Sequence, residues 1–199
     1  PALPDHPLLA ASYLARQFEH PDDAEKWNQA AQDLLKNIGA FFDPERKAYR
    51  KGFLLQEDGS LSYDNTLDVS SFYGVMMFGY GKDTSWLNQT VSLIESNLLN
   101  QSPIGGSPRY EQDKYFASEP AYEGNPWTVT TLWLAQYYIR TGRQDEGRAL
   151  IDWAIQRSMP SGVMSEQVNP STGELLSVAP LVWSHAEFIN TTLDLAKLQ

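Results

Sequence analysis

Cysteine is absent from this chain, so it can build neither a disulfide framework nor a thiolate metal site, and its redox compartment leaves no mark on the sequence. Basic residues are few: 15 Lys and Arg stand against 25 Asp and Glu, a formal charge of −10. With no basic run or face, that balance argues against nucleic acid and against an anionic membrane as partners, while a neutral substrate meets no penalty. Histidine is scarce too. His6, His20 and His185 are far apart and form no paired-ligand motif, and the run YDNTLD at 63–68 lacks the glycine and terminal glutamate of a calcium loop. No metal or other cofactor is implied. Missing as well are an apolar run of the roughly 18–20 residues that cross a bilayer and, within these residues, a charged-then-apolar leader, which together favour the cytoplasm. A start at Pro1 rather than methionine is read as the mark of a removed segment or of a longer chain.

What is present suits a folded core. The 199 residues are 42% hydrophobic and 12% aromatic, enough for a single domain over 1–199. Apolar residues recur at three- and four-residue spacing over 7–19 and again over 22–42, where Trp27, Ala30, Ala31, Leu34, Leu35 and Ile38 share a face. Pro21, Asp22 and Asp23 suit the start of the second helix. Residues 43–65 change character, with Pro44, Gly52 and an Asp58-Gly59 turn signal between alternating apolar residues, and read as a small hairpin in a loop. Asp68, Ser70 and Ser71 cap a run, FYGVMMFGYG, that is apolar nearly all round. Asp83 or Thr84 starts an amphipathic helix carrying Trp86, Leu87, Val91, Ile94, Leu98 and Leu99. After a Gly-, Pro- and Tyr-rich loop at 100–125, Pro126 opens the aromatic-rich TVTTLWLAQYYIR. Its amphipathic partner covers 143–157, and a last helix runs from about Pro180 to Leu198.

The chain thus alternates greasy and amphipathic helices at a repeat of about 50–60 residues, seven helices in all. Stacked pairs of this kind close into an α/α toroid. The fold class expected is all-α, a partial toroid of about seven helices.

Between the last two helices lies Glu166, flanked by Val163, Met164 and Val168 and punctuated by Pro170 and Gly173. Apolar flanks can hold a carboxylate still and tune it, although a glutamate in a Ser/Pro/Gly-rich loop is by itself an ordinary solvated residue. Two blocks lift it above that. Ser165-Glu166-Gln167, then Ser177, then LVWSHAEF resembles the general-base segment of glycoside hydrolase family 15, the glucoamylase, glucodextranase and bacterial trehalase family. Arg109, Tyr110 and Asp113, followed by Gly124-Asn125-Pro126-Trp127, resembles the same family's RY..D and GNPW blocks.

The resemblance implies the C-terminal part of a twelve-helix (α/α)6 barrel and an inverting exo-hydrolase of α-glucosidic bonds. Inversion needs a protonated carboxyl and an ionised one, about 6.5–9.5 Å apart. Glu166 would be the catalytic base and Ser177 the hydroxyl that bonds it. Arg109 would grip sugar hydroxyls, Asp113 would orient Arg109, and Trp127 would stack on a sugar face. Tyr110, Tyr122 and Glu123 would line the cleft wall, while Trp183 and His185 would pack at the start of the last helix. The family's general acid has no counterpart here. Glu111, Glu119, Glu123, Asp64 and Asp68 are the internal carboxyls that could approach the axis, none in the family's context.

Bland roles exist for each of these residues: Ser177 as a helix-entry turn, Arg109–Asp113 as a surface ion pair, Trp127 as a core residue. Two functions follow. One is the base-carrying part of an α-glucosidase, inactive alone, whose partner is an oligosaccharide with α-linked glucose. The other is a non-catalytic helical module that binds a saccharide or a protein, with an α-solenoid scaffold as its blandest form. An incomplete barrel would leave apolar surface open, so self-association or pairing with an N-terminal half is expected.

Overall fold

The computed structural model describes residues 6–78 and 84–197. These hold seven α-helices, a short 3-10 turn and three small antiparallel hairpins. By their internal contacts they form two compact units, one of residues up to Asn65 with Ser71–Val91, the other of Thr66–Ser70 with everything from Ser92 onward. No helix among the described residues is long and apolar enough to cross a membrane.

In the first unit, helices α1 (Pro7–Gln17) and α2 (Pro21–Asn37) pack together. Both open on proline, whose fixed φ suits the first helical turn. Helix α2 stops at Asn37 and a 3-10 turn, Ile38–Phe41, takes up the remainder of the helical pattern read over 22–42. The segment read as a single hairpin contains two: β1 (Phe42–Asp43) with β2 (Ala48–Tyr49), then β3 (Gly52–Leu55) with β4 (Leu61–Asp64). The first is buried, and its Phe42 stacks on Trp86 with ring centroids 4.6 Å apart. Helix α3 (Val69–Met77) buries Phe72 and Val75. Gly79, Tyr80 and Gly81, the end of the apolar run, and the alternative helix start at Asp83 lie outside the described residues, and α4 is described from Thr84 to Asn97.

In the second unit, α5 (Thr128–Arg140) is buried at every residue from Thr128 to Ile139. It is packed by α6 (Gln144–Gln156) and by α7 (Val182–Ala196). Gly147 allows α6 to come close: a Cβ there would lie 2.6 Å from Ile139 Cγ1 and 3.0 Å from the Ala135 carbonyl. Two apolar clusters fill the space between these helices, one around Leu132, Trp153, Met164 and Val168, the other around Ile139, Ile151 and Leu195, with Phe188 touching both. The third hairpin, β5 (Gln167–Val168) with β6 (Leu175–Leu176), precedes α7.

Candidate active site

The site grows out of the first turn of α5, where Trp127 is extended (φ −104°, ψ 137°) and caps the helix with its backbone alone. Single antiparallel bridges join Trp127 to Ser107 on one side and to Gln167 on the other. Trp127 N–H donates to the Ser107 carbonyl (2.9 Å), and Val168 N–H to the Pro126 carbonyl (3.0 Å). The threonines of TVTT complete the join. Thr130 donates its hydroxyl to the Ser107 carbonyl (2.8 Å), Thr131 accepts from Ser107 N–H (3.0 Å), and Thr128 donates to the Ser165 carbonyl (3.0 Å). Thr is a modest helix former whose hydroxyl competes for local bonds; at this helix start the hydroxyls secure neighbouring segments instead.

A further bridge, Asp68 with Tyr110, sets the segment before α3 beside Arg109. Val69 N–H donates to the Arg109 carbonyl at 2.8 Å. Irregular backbone from four places in the sequence is thus laced into one rim, and the chemical side chains project from it.

They surround a cleft of about 480 Å³ lined by Asp68, Arg109, Tyr110, Tyr115, Trp127, Trp133, Glu166 and Trp183, with Ser70, Val129 and Thr130 between them. Arg109 is held in a bidentate pair with Asp113, Nε to Oδ2 and a terminal nitrogen to Oδ1, both 2.8 Å. Asp113 is 1% exposed and does not line the cleft. Its bonds hold the Arg109 guanidinium above its ordinary pKa despite partial burial, so the cation persists. That guanidinium lies over three rings, 4.2 Å from the Trp127 centroid, 4.9 Å from Tyr115 and 5.1 Å from Tyr110. Burial, with the nearby Asp113 charge, raises the Tyr110 phenol.

Glu166, which also lines the cleft, is half-buried. Its Oε2 accepts from the Ser177 hydroxyl and from Gln167 Nε2 (3.3 Å). Ser177 reaches it from a left-handed backbone (φ 64°), and Glu166 N–H is tied to the Val178 carbonyl at 2.9 Å. Gln167 is fully buried and fixed in turn by Asn125, whose Nδ2 donates to Gln167 Oε1 at 2.7 Å.

The expected site residues therefore separate by position. Glu166, Arg109, Tyr110 and Trp127 face one cavity, with Asp113 behind Arg109 and Ser177 on Glu166. Glu123 does not join them: it accepts from Gln112 N–H (2.5 Å) and borders a separate small hollow with Tyr122. Trp183, read as packing at a helix start, is instead 47% exposed, lines the cleft and meets Trp133 edge-on at 5.5 Å. His185 does pack there, accepting from Met164 N–H (3.2 Å). Tyr115 and Trp133 were not singled out. Tyr115 had a signal, two residues beyond the aspartate that holds Arg109; Trp133, mid-helix, had none. Asp68 is both rim and cap, its Oδ1 accepting from Ser70 N–H (2.8 Å) and Ser70 hydroxyl (2.6 Å). Among the described residues no cluster of His, Asp or Glu could hold a metal ion.

The chain is 28% identical over 177 residues to an uncharacterised glycosyl hydrolase of Methanocaldococcus jannaschii, covering 79% of this chain and 27% of that protein. It is 29% identical to trehalase 2 of Sulfolobus acidocaldarius, covering 94% and 30%. It superposes on a bacterial glucoamylase complexed with acarbose with a TM-score of 0.78 at 22% identity, over 96% of this chain and 32% of that one. The glucoamylase of Saccharomycopsis fibuligera gives 0.73 at 17% identity, over 96% and 53%. The structural likeness establishes the fold as part of a glucoamylase-type (α/α)6 toroid, as the alternating helices implied. The chain spans less than a third of the length of these two curated relatives. The family model for glycosyl hydrolases family 15 matches residues 6–152 and 148–193, nearly the whole sequence, and the chain belongs to that family.

Proposed function

We propose that this cleft hydrolyses a terminal α-glucosidic bond with inversion, with Glu166 as general base. The observation that carries the reading is the Glu166 carboxylate: it borders the same cavity as Arg109, held by Ser177 and by a buried glutamine. In the reaction a water attacks the anomeric carbon, Glu166 takes its proton, and the leaving oxygen receives a proton from a second carboxyl on the opposite face. Arg109, kept charged by Asp113, binds sugar hydroxyls, and Trp127 offers an apolar wall to the C–H face of a ring. Among the described residues Asp68 is the other carboxylate lining the cleft, and its Oδ1 is taken up in capping α3 with Ser70. We assign the acid's role to a carboxyl outside these residues, for which the greater length of the relatives leaves room. A non-catalytic saccharide site is the second reading, favoured by that same engagement of Asp68 in a chemistry that needs two carboxyls.

The test is glucose release from maltose, isomaltose and trehalose by the intact gene product, with the anomer identified by NMR. The glucose unit whose anomeric carbon is attacked should appear first as β-glucose, which from trehalose means β- and α-glucose in equal initial amounts, and Glu166→Gln should lower kcat by about 10²–10⁴-fold, the usual worth of a positioned acid or base. Initial release of that attacked unit as α-glucose, or a Glu166→Gln enzyme of undiminished rate, overturns the assignment. Saccharide binding without release establishes the second reading.

A further inference from the structure

A glutamine amide fills its pocket equally well either way round, because its oxygen and nitrogen differ little in shape and only hydrogen bonds tell them apart. At Gln167 the choice has consequences. The side chain is fully buried, and the end that meets Glu166 Oε2, 3.3 Å away, is Nε2. Turned over, it would set an oxygen against a carboxylate, with no water to intervene.

The direction traces back to two backbone groups that do not line the cleft. A backbone N–H can only donate and a backbone carbonyl can only accept. Ser118 N–H donates to Asn125 Oδ1 (3.0 Å), and the Ser118 hydroxyl joins it (2.8 Å). The Phe116 carbonyl accepts from Asn125 Nδ2 (2.8 Å). Asn125, 1% exposed, is thereby held in one orientation, and the second proton of its Nδ2 goes to Gln167 Oε1 at 2.7 Å. Gln167 is left with its own N–H group facing Glu166. The segment that starts this chain of bonds is itself anchored, by Tyr115 N–H to Asp113 Oδ1 (3.1 Å) and by Asn169 Nδ2 to the Ser118 hydroxyl (3.3 Å). At the far end, the bonds from Gln167 and from the Ser177 hydroxyl both fall on Glu166 Oε2, and among the described residues none falls on Oε1.

We propose that Asn125 is a positioning residue of the reaction: it carries the polarity of the Ser118 N–H and the Phe116 carbonyl to Gln167, so that an N–H and not an oxygen grips Glu166 Oε2 while Oε1 is left to take the proton of the attacking water. This rests on the reading of Glu166 as the base, and adds to it a buried residue that does not touch the cleft.

The test is a kinetic cycle on the intact gene product. Gln167→Met keeps the side-chain length and removes the amide. Asn125→Asp keeps the acceptor for Ser118 but replaces the N–H aimed at Gln167 by an oxygen, so the glutamine turns and sets its own oxygen against Glu166. Asn125→Asp should lower kcat by about 10²-fold, the scale of a misplacement at the reacting centre, and Gln167→Met by about three- to tenfold, the worth of one hydrogen bond to a charged group. KM should change by no more than about twofold in either, because neither side chain lines the cleft. With no amide to turn, the double variant should be about tenfold faster than Asn125→Asp alone, a recovery that two merely destabilising changes do not give. Asn125→Leu, which withdraws the guide without adding an oxygen, should cost less kcat than Asn125→Asp and nothing further in the Gln167→Met background. A double variant no faster than Asn125→Asp, a Gln167→Met enzyme of undiminished kcat, or losses carried by KM overturns the relay. The direction of the amide is also read without turnover, by NMR of protein labelled with nitrogen-15 in its glutamine side chains. The Gln167 Nε2 signal should shift on Glu166→Gln in the parent and far less in the Asn125→Asp background; an equal shift in both overturns the relay even where no glucose is released. Failure of the base reading registers separately, as undiminished glucose release by Glu166→Gln.

Discussion

Two hairpins of this molecule, one from each unit, are held in opposite ways. The β3–β4 hairpin has four paired positions in unbroken register from Gly52↔Asp64 to Leu55↔Leu61, and a turn closed by Gln56 N–H to the Ser60 carbonyl (2.8 Å). Every residue of β4 is exposed, and Leu54 and Leu55 are 70% and 72% exposed. The β5–β6 hairpin has only two paired positions, Gln167↔Leu176 and Val168↔Leu175, and Gln167 and Val168 are wholly buried. Its ends carry Glu166 and Ser177. The first hairpin is its own ladder; the second is too short to be one and is held by Trp127, Pro126 and Asn125 from outside. A catalytic carboxylate gains from the second arrangement, because fixed neighbours position a group more closely than an exposed ribbon can.

The largest effect should come from removing that outside support. Asn125→Leu keeps the volume roughly constant but leaves the Gln167 carbonyl, the Phe116 carbonyl and the Ser118 donors without their partner. Orphaned buried polar groups cost about 1–3 kcal/mol each, and with partial rehydration of the Ser118 end the sum should be about 3 kcal/mol, read as a fall in the urea midpoint at unchanged slope. Equal stability of the variant would mean that β5–β6 holds itself.

The same contrast explains what could be read in advance. The β3–β4 hairpin was legible because its signals are local: Asp58-Gly59 for the turn, alternation for the strands. The helices were legible for the same reason. Leu132 and Ile139 of α5, or Leu150, Trp153 and Ala154 of α6, repeat at helical spacing whatever they touch. Glu166, Arg109, Trp127 and Ser177 could be singled out only through the resemblance of their motifs, since two paired residues at 167–168 carry no period. The cleft's remaining wall was not legible. Trp133 and Trp183 look like core residues on apolar helices, and only the packing of α7 on α5 brings them edge to edge. Glu123 is the converse case, a carboxylate in the same loop as Arg109 that accepts from Gln112 N–H and borders a separate hollow.

A much smaller effect is expected on the exposed ribbon. Leu55 pairs with Leu61, which is 42% exposed, so Leu55→Thr exchanges one strand former for another without opening a cavity. Global stability should change by no more than about 0.5 kcal/mol, as at most surface positions, measured by urea unfolding at two protein concentrations. A larger loss that grows with concentration would show that this apolar face is covered by a second molecule in solution, and the comparison would then be between two hairpins that both depend on outside support.

The smallest effect is confined to the turn. Asp58 is fully exposed, and its carboxylate sits below the ordinary value of 3.8 because the Ser60 hydroxyl and then the Ser60 N–H donate to it, the latter at 2.8 Å. A carboxylate with a depressed folded-state pKa stabilises its structure fully above its ordinary pKa and loses that contribution as pH falls through the folded value. Amide protection at Ser60 and Gln56 should therefore fall below about pH 4 relative to neutral pH. Asp58→Ala should give the lower protection at every pH and remove the dependence. Protection at Gln167 and Val168 should not follow Asp58, whose carboxylate accepts from Ser60 within its own turn; a shared response would show that the two hairpins open as one cooperative unit.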